Sequence, residues 1–156
     1  MIFKCLVHVL ILFVVGCGKK SEKEYFQTSY FSSEVNEYLF LMNEYRIQIG
    51  LLPLIETEGI QEVAFYHSAN MSRRKSPFGH YGFKFRCSRL FYQFQAKTCG
   101  EIVAMGQKTP KEVLDAWLNS PPHREAIENP DWTHTGLGLA SSSSGRLYWT
   151  QMFLKI

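Results

Sequence analysis

The stretch THTGLGLASSSSGRLYWTQMFLKI, residues 133–156, decides the fold. Its first part, residues 133–140, and its last part, residues 146–156, are typical of β-strands, and the small residues 141–145 between them suit a short connection. These features predict two antiparallel strands joined by a loop. A further strand is predicted around residues 100–104. This end of the chain therefore builds a sheet.

The glycines and serines of this stretch carry no catalytic motif. Gly136 and Gly138 lack the GxGxxG spacing of a phosphate-binding loop. The serine run at residues 141–144 is not part of a GxSxG nucleophile motif. We therefore interpret the serine run as a flexible turn.

Helices are predicted before the strands. The first has Ser33 as its N-cap and Gly50 as its C-terminal stop, and the second covers residues 58–74. Apolar side chains recur at helical spacing in both helices. In the first they are Val35, Tyr38, Leu39, Met42, Tyr45 and Ile49; in the second, one face carries Ile60, Val63, Ala64, His67 and Met71.

Two further helix starts are marked by proline. Thr109, Pro110 and Glu112 predict a capping box at the start of a third helix. Ser120 is the predicted cap of a short fourth helix with Pro121 at its first position. Helices early in the chain and strands late predict an α+β fold built in layers.

Composition predicts one globular domain and argues against nucleic acid as a partner. The chain has 156 residues, of which 46% are hydrophobic and 20% are charged, enough for a sizeable core. The formal net charge is only +3, and Lys and Arg are scattered except at residues 73–75. The concentrated basic surface of a DNA- or RNA-binding protein is therefore not expected.

The N-terminus has the pattern of a targeting segment. Residues 5–15 are almost wholly apolar but too few to span a bilayer. The run ends in FVVGC at residues 13–17, which resembles a bacterial lipobox, in which the chain is cut before the cysteine and the cysteine is acylated. We predict a signal peptide over residues 1–16, a lipidated tether over 17–31 and the folded domain over 32–156.

Lipidation at Cys17 would make a membrane the first partner of the protein, because more than one acyl chain gives stable anchoring. The predicted location is extracytoplasmic, on a bacterial membrane, with the outer membrane or the cell surface as candidates. An ordinary signal peptide with an incidental cysteine is the alternative.

Cysteine counting favours one disulfide. If residues 1–16 are removed and Cys17 is acylated, Cys87 and Cys99 are left to pair. Outside the cytoplasm this bond would close a short loop and contribute about 3 kcal/mol. Two free buried thiols are the alternative. Neither cysteine has CxxC or zinc-ribbon spacing, so zinc binding through sulfur is not expected.

Three histidines need separate interpretation. His123, in NSPPHREAIENP at residues 119–130, falls in the first turn of the fourth helix, where the helix dipole favours a neutral ring able to bind a metal or accept a proton. A surface histidine without function is equally consistent with that position. His67 lies on an apolar helix face and is interpreted as a hydrogen-bonded core residue. His80 lies in a predicted loop.

Several segments, in this order, resemble the CAP superfamily, the cysteine-rich secretory, antigen 5 and pathogenesis-related proteins, and most closely its short bacterial branch. They are LMNEYRIQIGLLPL at residues 41–54, AFYHSANM at 64–71, FGHYG at 78–82, CGEIVAMG at 99–106, AWLNSPPHREAI at 116–127, THTGLGLA and YWTQMF. The resemblance covers about residues 34–153. It implies a three-layer α-β-α sandwich with a central antiparallel sheet and a cleft lined by histidines and acids.

The resemblance also implies which residues line that cleft. The two cleft histidines of the family fall on His80 and His123, and the glutamate of its GEN motif falls on Glu101. These three residues would carry any catalysis. The same two histidines are the candidate ligands of a weak zinc site, with water in the fourth position. Zinc is the one cofactor considered.

This chain departs from the family pattern at three positions. The asparagine of the motif is Ile102, the glycine before the second histidine is Pro122, and the second glutamate of the eukaryotic proteins is Ser120. Two imidazoles and one carboxylate remain, which can hold zinc weakly or form a polar cleft without chemistry. Glu125, one turn away, is a less favoured fourth member.

Three classes of function follow from the resemblance. The first is an extracytoplasmic binding module for a lipid or protein ligand, since members of the superfamily are described as binding lipids, sterols or partner proteins. The second is a zinc-dependent hydrolase acting on peptide or cell-wall substrates, with Glu101 as the base. The third is a structural envelope lipoprotein. No enzyme activity is assigned.

Overall fold

The computed structural model describes residues 32–156. The predicted signal peptide over residues 1–16, the lipidation site Cys17 and the tether over 17–31 lie outside the described residues and stay predictions. None of the helices within residues 32–156 is both long enough and apolar enough to cross a bilayer.

Five helices and four strands form the described part of the chain. In order they are α1 (Ser32–Gln48), β1 (Ile55–Glu56), α2 (Glu58–Ser72), α3 (Phe83–Phe94), β2 (Thr98–Met105), α4 (Pro110–Leu118), α5 (Pro121–Glu128), β3 (His134–Ser141) and β4 (Leu147–Lys155). The sheet order is β1-β3-β4-β2. The pairs β3–β4 and β2–β4 are antiparallel, as predicted, and the two-residue β1 adds a parallel edge to β3.

The helices cover both faces of the sheet, which confirms the α-β-α sandwich. On one face α1, α4 and α5 pack against the sheet in a cluster that includes Tyr38, Met42, Trp117, Trp149 and Phe153. On the other face α2 and α3 pack in a smaller cluster that includes Ile60, Val63, Leu90, Met152 and Leu154. Alternate residues of β4 point to opposite clusters, as the two-residue period of a strand requires.

Two glycines set how closely α2 approaches the sheet. Gly136 and Gly138 lie on the face of β3 that meets α2. A Cβ added at Gly136 would lie 2.2 Å from the backbone nitrogen of Gln61, and one added at Gly138 would lie 2.1 Å from that of Phe65. The α2 backbone therefore rests directly on the β3 backbone, which explains why these positions carry no side chain.

Some predicted helix boundaries are wrong by one or two residues. The first helix begins at Ser32, so Ser33 is not its cap, and the Ser33 hydroxyl donates instead to the Glu34 carboxylate at 2.7 Å. Ile49 lies beyond the helix and is exposed, although Gly50 adopts the predicted left-handed stop. The second helix ends at Ser72 rather than at residue 74 because the backbone of Arg74 is left-handed.

The caps predicted for the last two helices are partly confirmed. The Thr109 hydroxyl accepts from the Glu112 amide at 3.1 Å, as predicted, but the Glu112 carboxylate accepts from the Lys108 amide rather than from Thr109. Ser120 holds the N-cap position before Pro121, but its side chain makes no capping hydrogen bond. The prolines at the helix start therefore fix this end with little help from a cap.

The predicted disulfide is confirmed. Cys87 on α3 is bonded to Cys99 on β2, with 5.8 Å between their Cα atoms. The helix α3 itself was not predicted, because its sequence FKFRCSRLFYQF mixes aromatic and basic residues without a clear apolar stripe. Cys87 and Leu90 are its buried residues, so the disulfide and one leucine anchor this short helix.

Candidate functional site

The fold brings His80 and Glu101 into direct contact. His80 lies in the loop between α2 and α3, and Glu101 lies on β2. The His80 Nδ1 atom is 2.9 Å from the Glu101 Oε1 atom. Since an ionised carboxylate only accepts, Nδ1 carries the proton of this bond and a neutral His80 keeps its Nε2 lone pair free. The His80 side chain is 52% exposed, so this lone pair is open to a ligand.

Arg86 completes this cluster, and sequence reasoning missed it. Its Nε and Nη2 atoms donate to the two oxygens of Glu101 at 2.6 and 2.7 Å, and its Nη1 atom donates to the Tyr81 carbonyl at 2.8 Å. The Glu101 side chain is fully buried, which makes a charged partner necessary. The sequence could have indicated that Glu101 needs a cationic partner, but several Lys and Arg residues between positions 73 and 97 could have been that partner.

His123 lies in the first turn of α5, as predicted, and is near enough to His80 for the two rings to interact electrostatically. Its Nδ1 atom is buried and has no hydrogen-bond partner among the described residues. Burial lowers the pKa of His123, and the nearby His80 lowers it further. The lowered pKa favours the neutral ring that the sequence predicted, and its largest cause is burial.

His67 supports the loop that carries His80. It is 3% exposed, and its Nε2 atom donates to the Gly79 carbonyl at 2.8 Å, one residue before His80. Burial lowers the pKa of His67. These contacts confirm the interpretation of His67 as a hydrogen-bonded core residue, and they show how α2 fixes the position of the site loop.

The remaining positions singled out in the sequence do not join the cluster. Glu125 is exposed on α5, and Ile102, at the position of the family asparagine, is 2% exposed within the core. Within residues 32–156 no group of three His, Cys, Asp or Glu side chains could hold a metal ion. Glu101 is fully buried and paired with Arg86 and His80, so the predicted zinc ligands that remain are His80 and His123.

Exposed aromatic side chains lie near His80 in the sequence. Phe78 and Tyr81 flank it in the loop, and Phe85 follows in the first turn of α3, with 49%, 71% and 78% of their surfaces exposed. Phe78 also contacts Tyr148 of β4 edge to face, with 6.5 Å between ring centroids. We call these three exposed side chains, which neighbour the polar centre in the sequence, the aromatic rim.

Two proteins are similar to this chain in sequence. The protein YkwD of Bacillus subtilis is 42% identical over 118 residues, which are 73% of this chain and 44% of that protein. The membrane protein YlbC of the same organism is 34% identical over 124 residues, which are 76% of this chain and 34% of that protein. The chain therefore spans less than half the length of these two relatives.

Solved structures match the fold at lower sequence identity. An outer surface protein from Borrelia burgdorferi superposes with a TM-score of 0.70 at 22% identity, covering 80% of this chain and 94% of that one. An extracellular SCP-domain protein from Bacillus anthracis gives a TM-score of 0.71 at 23% identity, covering 90% of this chain and 45% of that one. The model of the CAP family, described as the cysteine-rich secretory protein family, matches residues 39–153. The fold and the sequence together place this chain in the CAP family.

Proposed function

We propose that this protein is an extracytoplasmic CAP-domain lipoprotein that binds a ligand or partner through the cleft around His80, Glu101 and His123. The lipobox-like run before Cys17 supports the anchor. The related YlbC is called a membrane protein, and the structural neighbours are called outer surface and extracellular proteins. These names agree with a place outside the cytoplasm.

The observation that carries the binding role is the burial and pairing of the Glu101 carboxylate, whose side chain has no exposed surface for a water molecule to reach. Both of its oxygens accept from Arg86, and one also accepts from His80. A general base needs a free lone pair within reach of the water that it deprotonates. The alternative role, a zinc-dependent hydrolase with Glu101 as base, would require this ion pair to open first. The geometry therefore favours binding over hydrolysis.

The polar centre and its rim also argue against a purely structural envelope protein. A buried His123 Nδ1 atom without a protein partner costs free energy that a ligand or an ordered water would recover. The exposed aromatic rim likewise adds nothing to the stability of the isolated domain. The exposed aromatic rim is expected of a surface that receives a ligand with an apolar body.

Zinc is the simplest probe of whether the two cleft histidines share one site. We expect the wild type to bind zinc weakly to moderately. In His80→Ala and in His123→Ala the zinc affinity should be lower by at least roughly tenfold. The affinity should fall as the pH drops through about 6.5, where protons compete for imidazoles. Because burial lowers the pKa of His123, competition at that ring begins at a lower pH. Calorimetric titration measures all of these values.

His134 provides the matched control, because it is a half-buried histidine on β3 that contacts Thr133 outside the cleft. His134→Ala should bind zinc like the wild type. Equal affinities in all four proteins would show that the cleft histidines are not the ligands.

A thermal-shift panel of fatty acids, sterols and peptides on the same proteins tests binding without metal. Stabilisation of the wild type but not of the cleft variants supports the proposal, and equal shifts contradict it.

The lipid anchor is tested by Cys17→Ala. Without the thiol no acyl chain can be attached, so we expect the variant to leave the membrane fraction and to lack the mass of the acyl groups. Detergent phase partition followed by mass spectrometry measures both properties. Cys87→Ala is the control. Because Cys87 is bonded to Cys99 in the folded domain, its replacement should leave the acylation unchanged. A Cys17→Ala protein that still carries acyl chains would refute the predicted site.

A further inference from the structure

Charge is strongly divided between two parts of the described chain. Residues 63–100 contain seven Lys and Arg and no Asp or Glu, a net charge of +7. The rest of residues 32–156 contains six Lys and Arg against twelve Asp and Glu, a net charge of −6. The small overall charge therefore hides a basic segment, which composition alone did not reveal.

The fold gathers this segment into one layer of the sandwich. Residues 73–75 follow directly after α2, and α3 runs antiparallel beside α2. At one end His67 of α2 holds the loop before α3 through Gly79, and at the other end Phe94 of α3 lies against Gly59. The basic residues from 73 to 89 thus belong to the α2/α3 layer, opposite the layer formed by α1, α4 and α5. Lys97 follows α3 directly before β2, and its amide donates to the Lys155 carbonyl.

Most of these cations are free to meet a partner. Arg86 is paired with Glu101, and Arg89 lies 3.4 Å from Glu62. The other five cations are exposed, and their side chains form no ion pair among residues 32–156: Arg73, Arg74, Lys75, Lys84 and Lys97. The acids of α2 lie in its first two turns, away from residues 73–75.

Aromatic side chains accompany the free cations. Phe85 and Tyr92 project from the outer stripe of α3, opposite the buried Cys87 and Leu90, and are 78% and 87% exposed. Tyr81, in the loop before α3, is 71% exposed. A helix with a basic surface and outward aromatic rings is typical of segments that lie at the membrane interface, where the rings enter the headgroup region.

We propose that the α2/α3 layer, through residues 73–75, Lys84, Phe85, Tyr92 and Lys97, docks the domain on an anionic phospholipid bilayer. This inference rests on the proposed lipid anchor for its setting, because fifteen tether residues from 17 to 31 reach at most about 50 Å when fully extended. The anchor keeps the basic layer close to the headgroups, and charge complementarity selects which face turns toward them. The loop of His80 belongs to that same layer.

The test uses residues 32–156 without the anchor, so that it cannot fail through a mistaken lipidation site. This part contains every described helix and strand, both core clusters and the disulfide. The Borrelia protein, 94% of which this chain covers, has the same fold over a similar length of chain. Circular dichroism confirms the fold of each variant before use.

Co-sedimentation with vesicles measures the docking. The wild-type domain should bind vesicles that contain phosphatidylglycerol, should not bind pure phosphatidylcholine, and should be released at high salt. The triple variant Arg73→Gln/Arg74→Gln/Lys75→Gln should bind these vesicles at least about tenfold more weakly than the wild type. Phe85→Ser/Tyr92→Ser should also weaken binding, with the cations intact.

A second triple variant, Lys108→Gln/Lys111→Gln/Arg146→Gln, removes the same charge from exposed positions outside the basic layer. It should bind like the wild type. Equal binding by the two triple variants would overturn the proposal, since net charge alone would then explain the result. Binding to heparin without binding to anionic vesicles would also overturn it, in favour of a soluble polyanion.

Discussion

Replacing Gly138 by alanine is expected to lower the free energy of unfolding by about 3 kcal/mol or more. The added Cβ would lie 2.1 Å from the backbone nitrogen of Phe65 and 2.2 Å from the carbonyl carbon of Ala64. Backbone atoms cannot move aside as a side chain can, so α2 would have to separate from β3. That separation would open the small core cluster that contains Val63 and Met152. Urea unfolding followed by circular dichroism measures the change.

Gly59→Ala is the matched control for this substitution. Its added methyl group meets only side-chain atoms, the Gln93 Nε2 atom at 2.7 Å and the Phe94 ring at 2.8 Å, and it lies in the first turn of α2. These side chains can rotate away, and alanine favours the helix more than glycine does. We expect a change within about 1 kcal/mol of the wild type. If Gly138→Ala were no more destabilising than this control, the tight helix-to-sheet packing would be wrong.

Replacing Arg86 by alanine is expected to cost about 3 to 5 kcal/mol, the usual range for breaking a buried ion pair from one side. The Glu101 side chain has no exposed surface, and Arg86 supplies two of the hydrogen bonds to its oxygens. Without the guanidinium the carboxylate is left with His80 alone. Stability should therefore fall by much more than the loss of a surface contact, and urea unfolding measures it.

Arg89→Ala on the same helix is the control. Its pair with Glu62 is 3.4 Å long and its side chain is 49% exposed, so its removal should cost less than about 1 kcal/mol. The double variant Arg86→Ala/Glu101→Gln should recover much of the loss, because the orphaned charge is then removed. Equal stability of the Arg86 and Arg89 variants would show that Glu101 does not depend on the ion pair.

The site could be predicted only in part. The resemblance supplied His80, Glu101 and His123, and the structure places the first two 2.9 Å apart. Arg86 could not be assigned, because nothing in the local sequence says which of seven basic residues turns toward β2. Its partner lies fifteen positions away, and only the disulfide and the packing of α3 against the sheet bring the two together.

The local features of the fold could be predicted from the sequence alone. The hairpin of β3 and β4, the start of α4 at Pro110 and the stop at Gly50 follow from neighbouring residues, since turns and caps depend on contacts a few positions apart. The pairing of Cys87 with Cys99 also followed, because so few cysteines were left to pair.

Features that depend on contacts between distant parts of the chain became visible only in the folded structure. The two-residue β1 forms because it pairs in parallel with the edge of β3. The helix α3 is held to the sheet by its disulfide and by the buried Leu90. Gly136 and Gly138, which in the sequence were ordinary strand residues, acquire their role from the backbone of α2 more than sixty positions earlier. Local propensity is weak, and burial between layers overrides it wherever the chain folds back on itself.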